Sequence, residues 1–438
     1  MSPLGFLFFL VTALGLLCAP RKWVLVPFLA GVLYMTHGQK FEVAGINLPI
    51  FRLLLAVGLL RIIIKGEGIE GGMNVIDKIM IAFFGWMFFA SFFHESGVDD
   101  AGPVFIIGQV AEIGISYLMV RCYCRSLTEL YSLASIMAYM LVPVALEMIY
   151  EELTGRNMFS AVFGGVSDLV VVRDGELRAR GPFRHAILAG TVGASLVPLM
   201  IAMWRSHRKA ATIGLLACLT LVIACSSSGP VLSLVFGLIG VFLWKFRPWM
   251  PMVRWGMLIG YLGLTVFMKQ PAYFIIAKMS MGGSTGWHRS KLIDAAVKRF
   301  DEWWLIGTDY TRAWMPTGLP GKSQHTDITN YYLGFGVKGG ILAIILMLAV
   351  LWIAFKWVGD ILDARPELDE RDRFMIWCMG ASLFSHVATS VSVAYYDQSL
   401  VFFWFSVASI SSLAAMIYLP AEETDQTEEP LGYDMPRS

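Results

Sequence analysis

Apolar residues in this chain come in long unbroken blocks, with the polar residues gathered between them rather than interleaved among them. The blocks lie near 4–19, 22–38, 48–64, 77–94, 103–121, 127–150, 185–204, 210–225, 229–245, 250–269, 331–357, 373–392 and 398–419. A helix needs about 20 such residues to cross the roughly 30 Å hydrocarbon core of a bilayer. Blocks of this kind are read as helices, because lipid offers the backbone no hydrogen-bond partners. The pattern predicts an all-α polytopic membrane protein of about 12–13 transmembrane helices, the first and eighth blocks being short. It divides the chain into N-terminal transmembrane helices over 1–150, a first loop over 151–184 and central helices over 185–269. A long loop over 270–330, C-terminal helices over 331–419 and a polar, acidic tail over 420–438 follow. The opening MSPLGFLFFLVTALGLLCAP has no basic residues ahead of its apolar run, so it is expected to stay as a first helix. The tail is expected to be disordered and cytoplasmic.

Inside the long loop the pattern changes. Leu292, Ile293, Ala296 and Phe300 recur at helical spacing, with Arg289 one turn earlier on the same face. Lys291, Asp294, Lys298 and Glu302 fall opposite. This predicts an amphipathic helix near the membrane surface, anchored by Trp303 and Trp304. Arg289 is then turned inward, where a lone charge is costly without an anionic partner, while Lys298 and Arg299 stay solvated.

Composition agrees with lipid as the main solvent: 57% of the 438 residues are hydrophobic and 15% charged, against about 25% charged in soluble domains. A net charge of +1 and the lack of any zinc-finger, RNA-recognition or basic-helix signature argue against a nucleic-acid partner. The six cysteines sit in or beside apolar runs, which suggests neither a disulfide framework nor a metal cluster. Cys122 and Cys124 read as exposed or lipid-facing thiols near a helix end.

Lysine and arginine orient the helices. Short basic connections occur at Arg21–Lys22, at Arg61, Lys65 and Lys78, and at Arg121 and Arg125. Others occur at Arg205, Arg208 and Lys209, at Lys245, Arg247 and Arg254, and at Lys356, Arg365, Arg371 and Arg373. An even number of blocks separates each from the next, so all can lie in the cytoplasm. The N-terminus, the acidic HESGVDD at 94–100 and both long loops are then expected outside. Three of the charges within blocks stand out. Glu112 is mid-block, and a pair with Arg52 would satisfy it; Arg52 and Glu147 can also be read as snorkelling to the surface.

The outer loops hold the candidate chemistry. RARGPFRHAILAG, from Arg178 to Gly190, puts Arg178, Arg180, Arg184 and His185 where a helix begins. Arginine forks bind phosphate oxygens bidentately and a helix N-terminus adds backbone donors. The positive-inside tendency does not account for a basic cluster on this side. HTDITNYYLGFGVKGG, from His325 to Gly340, offers a base, a carboxylate and an amide in His325, Asp327 and Asn330. Tyr395-Tyr396-Asp397-Gln398 closes the outer end of the twelfth block. There Asp397 either joins the same cavity or ends the helix. No H-E-x-x-H-like spacing links His288, His325 and Asp327, so no metal is expected.

At these residues the chain resembles the O-antigen polymerase and O-antigen ligase superfamily of bacterial membrane glycosyltransferases. Arg178, Gly181, Phe183, His185 and Gly190 fit that family's R-x-x-G-x-F-x-H…G pattern, and Pro198 fits a later proline. Ala186 and Ile187 stand where the family has Pro-Asn. Ser226-Ser227-Ser228-Gly229 resembles its Thr-Ser-Arg-Gly turn without the arginine. Arg289, Ala296, Phe300, Leu305 and Gly307 match its long-loop pattern, and Asn330, Tyr332, Leu333 and Gly340 its entry into the next helix. Thr329 takes the place of a histidine there. The likeness spans about Arg178 to Gly340.

The resemblance implies a GT-C-like enzyme of the bacterial inner membrane. It would transfer glycan from a polyprenyl diphosphate carrier to an acceptor hydroxyl on the periplasmic or exterior face, without cofactor or metal. Arg178 and Arg289, aided by Arg180 or Arg184, would hold the diphosphate. His325 or Asp327 would be the base, with Asn330, His185 and Asp397 in support. The implied partners are the lipid-linked glycan, a glycan or lipid acceptor, membrane lipids and other polysaccharide-assembly proteins. Polymerisation is the leading expectation and ligation to a lipid or protein the alternative. A lipid or sugar transporter would instead rest on midplane charges around Glu112. A nonenzymatic assembly subunit would use the outer arginines only to bind head groups.

Overall fold

The computed structural model describes residues 2–36, 38–43, 46–94, 102–173, 175–279, 284–318 and 324–417. The polar tail and most of the acidic stretch at 94–100 lie outside the described residues. The chain opens with α1 (Pro3–Cys18) and α2 (Leu25–Tyr34), then a hairpin of β1 (Lys40–Val43) and β2 (Ile46–Pro49). Next come α3 (Ile50–Lys65), α4 (Val75–Ser91), α5 (Pro103–Tyr123) and α6 (Leu127–Thr154). The first long loop holds α7 (Met158–Phe163) and a second hairpin, β3 (Val171–Arg173) with β4 (Glu176–Arg178). The central helices are α8 (Ala186–Ala202), α9 (Arg208–Ala224), α10 (Ser228–Phe242) and α11 (Met250–Phe267). The second long loop holds α12 (Ile275–Met279), α13 (Ser284–Lys298) and α14 (Phe300–Trp303), and α15 (Tyr331–Ala364), α16 (Glu370–Ser390) and α17 (Gln398–Leu413) follow.

Every apolar block of the sequence is thus helical, and among the described residues six helices are long and apolar enough to cross a membrane. These span Pro103–Tyr123, Leu127–Thr154, Ala186–Arg205, Ser228–Phe267, Tyr331–Ala364 and Gln398–Ile417. The chain is a membrane-embedded helical protein. Burial separates the central helices from the peripheral ones. The apolar windows of α8 and α17 are 89% and 83% buried within the protein, those of the other four 28–50%. α8 occupies the centre because its small residues, Ala186, Ala189, Gly190, Gly193 and Ala194, let neighbouring helices approach closely. At the other extreme α11 buries no residue at all.

The connections sort into two ends as the basic residues predict. At one end Arg21 pairs with Glu129 at 3.3 Å, Arg125 with Glu70 at 2.7 Å and Arg247 with Glu370 at 3.6 Å. Arg61, almost fully buried, also closes that end by donating to the carbonyls of Leu16 and Ala19 at 2.6 and 2.7 Å. At the other end the Ser2 amide donates to the Gln39 side chain at 3.0 Å and Thr36 to the Gly164 carbonyl at 2.6 Å. Gln398 there donates to the carbonyls of Met35 and Pro182 at 2.8 and 3.2 Å. The N-terminus therefore shares an end with both long loops.

The second long loop is locked to the helices by two glycines. α15 breaks at Gly340, whose φ of 68° and ψ of −170° suit glycine alone. The Ile341 amide then reaches the Trp304 carbonyl at 2.8 Å, and a Cβ on Gly340 would stand 2.2 Å from the Leu305 carbonyl oxygen. Reciprocally, Gly307 has φ 100°, and its Cβ would stand 2.1 Å from the Val337 carbonyl oxygen. His94, at the end of α4, holds the same junction. Its Nδ1 meets an Asp309 carboxylate oxygen at 2.7 Å, and its Nε2 faces the carbonyls of Ile306 and Lys338 at 3.0 and 3.1 Å.

Several expectations are corrected. Cys122 and Cys124 are buried rather than exposed or lipid-facing. Glu147 does not snorkel: it is buried and accepts the Met158 amide at 3.1 Å. Arg52 and Glu112 do pair, at 2.7 Å. The amphipathic helix is α13, with Arg289, Leu292 and Ala296 buried as expected, but it ends at Lys298 and leaves Phe300 exposed. Trp303 is no surface anchor; it packs in a small core with Leu292 and Trp314 and donates to the Ala296 carbonyl at 2.9 Å. Asp294, placed on the outer face, is buried and bonded to Tyr273 and Lys298 at 3.0 Å each.

Candidate functional site

The arginine segment after β4 is built on two carboxylates at the end of α6. One oxygen of Glu151, fully buried, accepts the backbone amides of Arg180 and Gly181 at 2.5 and 3.0 Å. Its other oxygen accepts the Asn157 side-chain amide, which also donates to the Gly181 carbonyl at 2.8 Å. Successive amides of this kind form an anion-binding concavity, and here Glu151 fills it. The strand leading in is equally fixed, because the Ala179 amide donates to the Ala224 carbonyl at 3.0 Å.

Arg178 and Arg180 are buried, whereas Arg184 and His185 are exposed. Arg178 donates to the Ser227 hydroxyl and approaches the Cys225 carbonyl at 3.5 Å, seating it on the turn between α9 and α10. That turn holds Ser226 at φ 42°, and it is the Ser226–Gly229 segment singled out in the sequence. Arg180 donates to the Ser167 carbonyl at 2.5 Å. Its Nε is buried and has no hydrogen-bond partner among the described residues. His185 caps α8 by accepting the Ile187 amide at 3.3 Å. Partial desolvation, followed by the positive charges of Arg178, Arg180, Arg173 and Arg184, lowers its pKa to about 4, so the ring is neutral at neutral pH.

α13 brings Arg289 to the same neighbourhood. Its side chain is buried, and its Nε has no hydrogen-bond partner among the described residues. Burial and then the charge of Arg173 lower its pKa, and Asp327 partly offsets them. Partial desolvation raises the pKa of Asp327, an exposed residue, against the opposing pull of His288 and Arg289. Tyr396 links this centre to the first loop. Arg184 lies 5.9 Å from its ring centroid, and its hydroxyl, pushed up to about 12 mainly by burial, feels Asp397, Arg184 and Asp327. Asp397 is buried at the start of α17 with φ 56°, and burial raises its carboxyl to about 7 against Arg184. Arg289, Asp327, Arg173, Arg184, Tyr396 and Asp397 thus share one electrostatic neighbourhood drawn from four separate segments.

Two further expected residues make contacts with neighbouring turns and helices. His325 sits on the turn at Thr311, with Nδ1 3.4 Å from the Thr311 hydroxyl. Asn330 is a helix cap: its oxygen accepts the Leu333 amide at 3.0 Å and its amide donates to the Val391 carbonyl at 2.9 Å. Three residues that sequence reasoning missed belong to the site: Arg173, Glu151 and Lys40. Only Glu151 carried a signal, being one helical turn after Glu147. Lys40 lines a cavity of about 410 Å³ with Gly38, Gly165, Val166, Ser167, Arg180 and Arg184. Among the described residues no group of three His, Cys, Asp or Glu side chains could hold a metal ion.

The class these features define is a helical membrane protein with a basic, partly buried loop centre at one end of its helices. No protein-family model matches the chain, and no curated protein matches its sequence.

Proposed function

We propose that the protein is a membrane glycosyltransferase that uses a polyprenyl diphosphate-linked glycan as donor. The observation that carries this reading is Arg289, a buried guanidinium with an unfilled Nε, set beside Asp327 and the first-loop Arg173. A buried cation in cationic company favours an anionic ligand, and a guanidinium fork suits phosphate oxygens. In this reading the fold is GT-C-like, with 12 or 13 helices crossing the bilayer and the loop centre on the extracytoplasmic face. Polymerisation, with a second lipid-linked glycan as acceptor, is the reaction we assign, and ligation to a lipid or protein acceptor would use the same centre. Glu112, on which a transporter reading would rest, is already paired with Arg52.

Arg178 and Arg289 hold the diphosphate. An acceptor hydroxyl attacks the anomeric carbon, its proton passes to a base, and the carbon–oxygen bond to the diphosphate breaks with the electron pair leaving on phosphate oxygen. Asp327 is the better-supported base, since its carboxylate feels Arg289 and partial desolvation raises its proton affinity. The cations stabilise the departing charge, and loss of one such preorganised donor costs about 3–4 kcal/mol. The test is purified protein with a polyprenyl diphosphate oligosaccharide and mass spectrometry of the products. Transfer should occur, and Arg289→Lys should lower it by about a hundredfold or more. Full activity in Arg289→Ala would overturn the reading.

A further inference from the structure

The cavity that Lys40, Arg180 and Arg184 line shares Arg184 with the Arg289 neighbourhood, but Arg178, Arg289 and Asp327 are not on its wall. Its volume of about 410 Å³ falls within the roughly 300–1,000 Å³ of ordinary ligand pockets. Its three cations come from two places: Lys40 from β1, and Arg180 and Arg184 from the stretch between β4 and α8. Packing brings them together, for Thr36 is bonded to the Gly164 carbonyl and Gln39 to that of Phe163. Arg180 is 8% exposed and lines the cavity with its Nε unpartnered among the described residues. Three carboxylates stand near these cations, and one of them, Glu147, faces Arg180 while accepting the Met158 amide. Glu151 is bonded to the backbone beneath Arg180, and Asp397 adjoins Arg184 from the α17 side. Among the described residues Lys40 makes no ion pair. Among the described residues the wall carries a single aliphatic side chain, Val166, which suits a polar group better than an acyl chain.

We propose that this cavity is a second oxyanion subsite, which takes a carboxylate or phosphate group carried on a glycan. Resting on the glycosyl-transfer reading, it marks the substrate as an acidic glycan, held by its own charge while Arg178 and Arg289 hold the carrier diphosphate. Lys40 then determines specificity without touching the reacting atoms.

The test uses full-length protein in phosphatidylcholine nanodiscs and two probes of equal length, a hexuronate oligosaccharide and a neutral hexose oligosaccharide, titrated calorimetrically. The wild type should bind the acidic probe at least about tenfold more tightly, with the preference shrinking as salt rises. Lys40→Gln should remove most of that preference without weakening the neutral probe, and Lys40→Arg should restore it. Equal binding of the two probes, or equal loss of both in Lys40→Gln, would overturn the subsite. Displacement of the acidic probe by phosphatidylglycerol nanodisc lipid, with no effect of phosphatidylcholine, would assign the site to a lipid head group and overturn the glycan. Selective binding without any transfer would uphold the subsite and sink the transferase reading instead.

Discussion

Glu151 offers the most direct test of how the first loop is held. Its carboxylate receives three donors: the amides of Arg180 and Gly181 and the side-chain amide of Asn157. All are buried beneath a side chain with no exposure of its own. Glu151→Ala leaves those donors without an acceptor, at about 1–3 kcal/mol each if the loop stayed in place. The loop has a cheaper course, which is to lift into water. The variant should therefore show local opening, with a global loss nearer 2–4 kcal/mol than the full sum. Glu151→Gln keeps one oxygen for the two backbone amides and sets its own amide against that of Asn157. Asn157 cannot turn to relieve this, because its oxygen already accepts the Ser160 amide at 2.6 Å. One donor–donor conflict should cost about 1–3 kcal/mol. Glu147→Gln is the comparison: only one of its oxygens is hydrogen-bonded among the described residues, so its cost should be smaller. Hydrogen exchange read by mass spectrometry over residues 155–184 is the assay, with residues 210–224 as internal reference. Exchange should speed up in the order Glu151→Ala, Glu151→Gln, Glu147→Gln. Wild-type protection of that loop in Glu151→Ala would refute the argument.

Other outcomes follow from the same geometry. Gly340→Ala combines a backbone conformation reserved for glycine with a Cβ 2.2 Å from the Leu305 carbonyl oxygen. It should cost more than about 3 kcal/mol and expose the 300–318 segment to protease, and an unaltered digestion pattern would count against it. Asp397 has its carboxyl raised to about 7, so the folded state binds that proton more tightly than the unfolded chain at 3.8. Stability should fall as pH rises through that window, by up to about 4 kcal/mol. Unfolding midpoints of Asp397→Asn measured from pH 5 to 8 should be flatter than wild type, and parallel curves would refute this. For the base, Asp327→Asn should lower turnover about 10²–10⁴-fold, while His325→Ala should stay within about tenfold of wild type. The wild-type rate should fall as the pH drops, because the raised Asp327 pKa protonates the base earlier than an ordinary carboxylate; the reverse ranking of the two variants would move the base to His325.

The helices and the grouping of their connections are legible in the chain alone. Unbroken apolar blocks can only be helices in lipid, and the lysines and arginines sort the connections by a rule that needs no tertiary contact. The arginines after β4 and the inward face of α13 were also legible, because each is a local signal of charge or period, whereas Gly307 and Gly340 entered only through the family resemblance. Tertiary structure decided which of these meet. Lys40 and Arg180 are 140 positions apart and share a cavity only because the Thr36–Lys40 stretch is bonded to the Gly164 turn. Arg173 reads as an ordinary hairpin charge until α13 sets Arg289 near it. His325 and Asp327, two residues apart, meet different neighbours that no spacing reveals: a Thr311 hydroxyl near one, the Arg289 charge near the other. Charge period and apolar length are properties of a segment, and the pairing of side chains across loops is a property of packing.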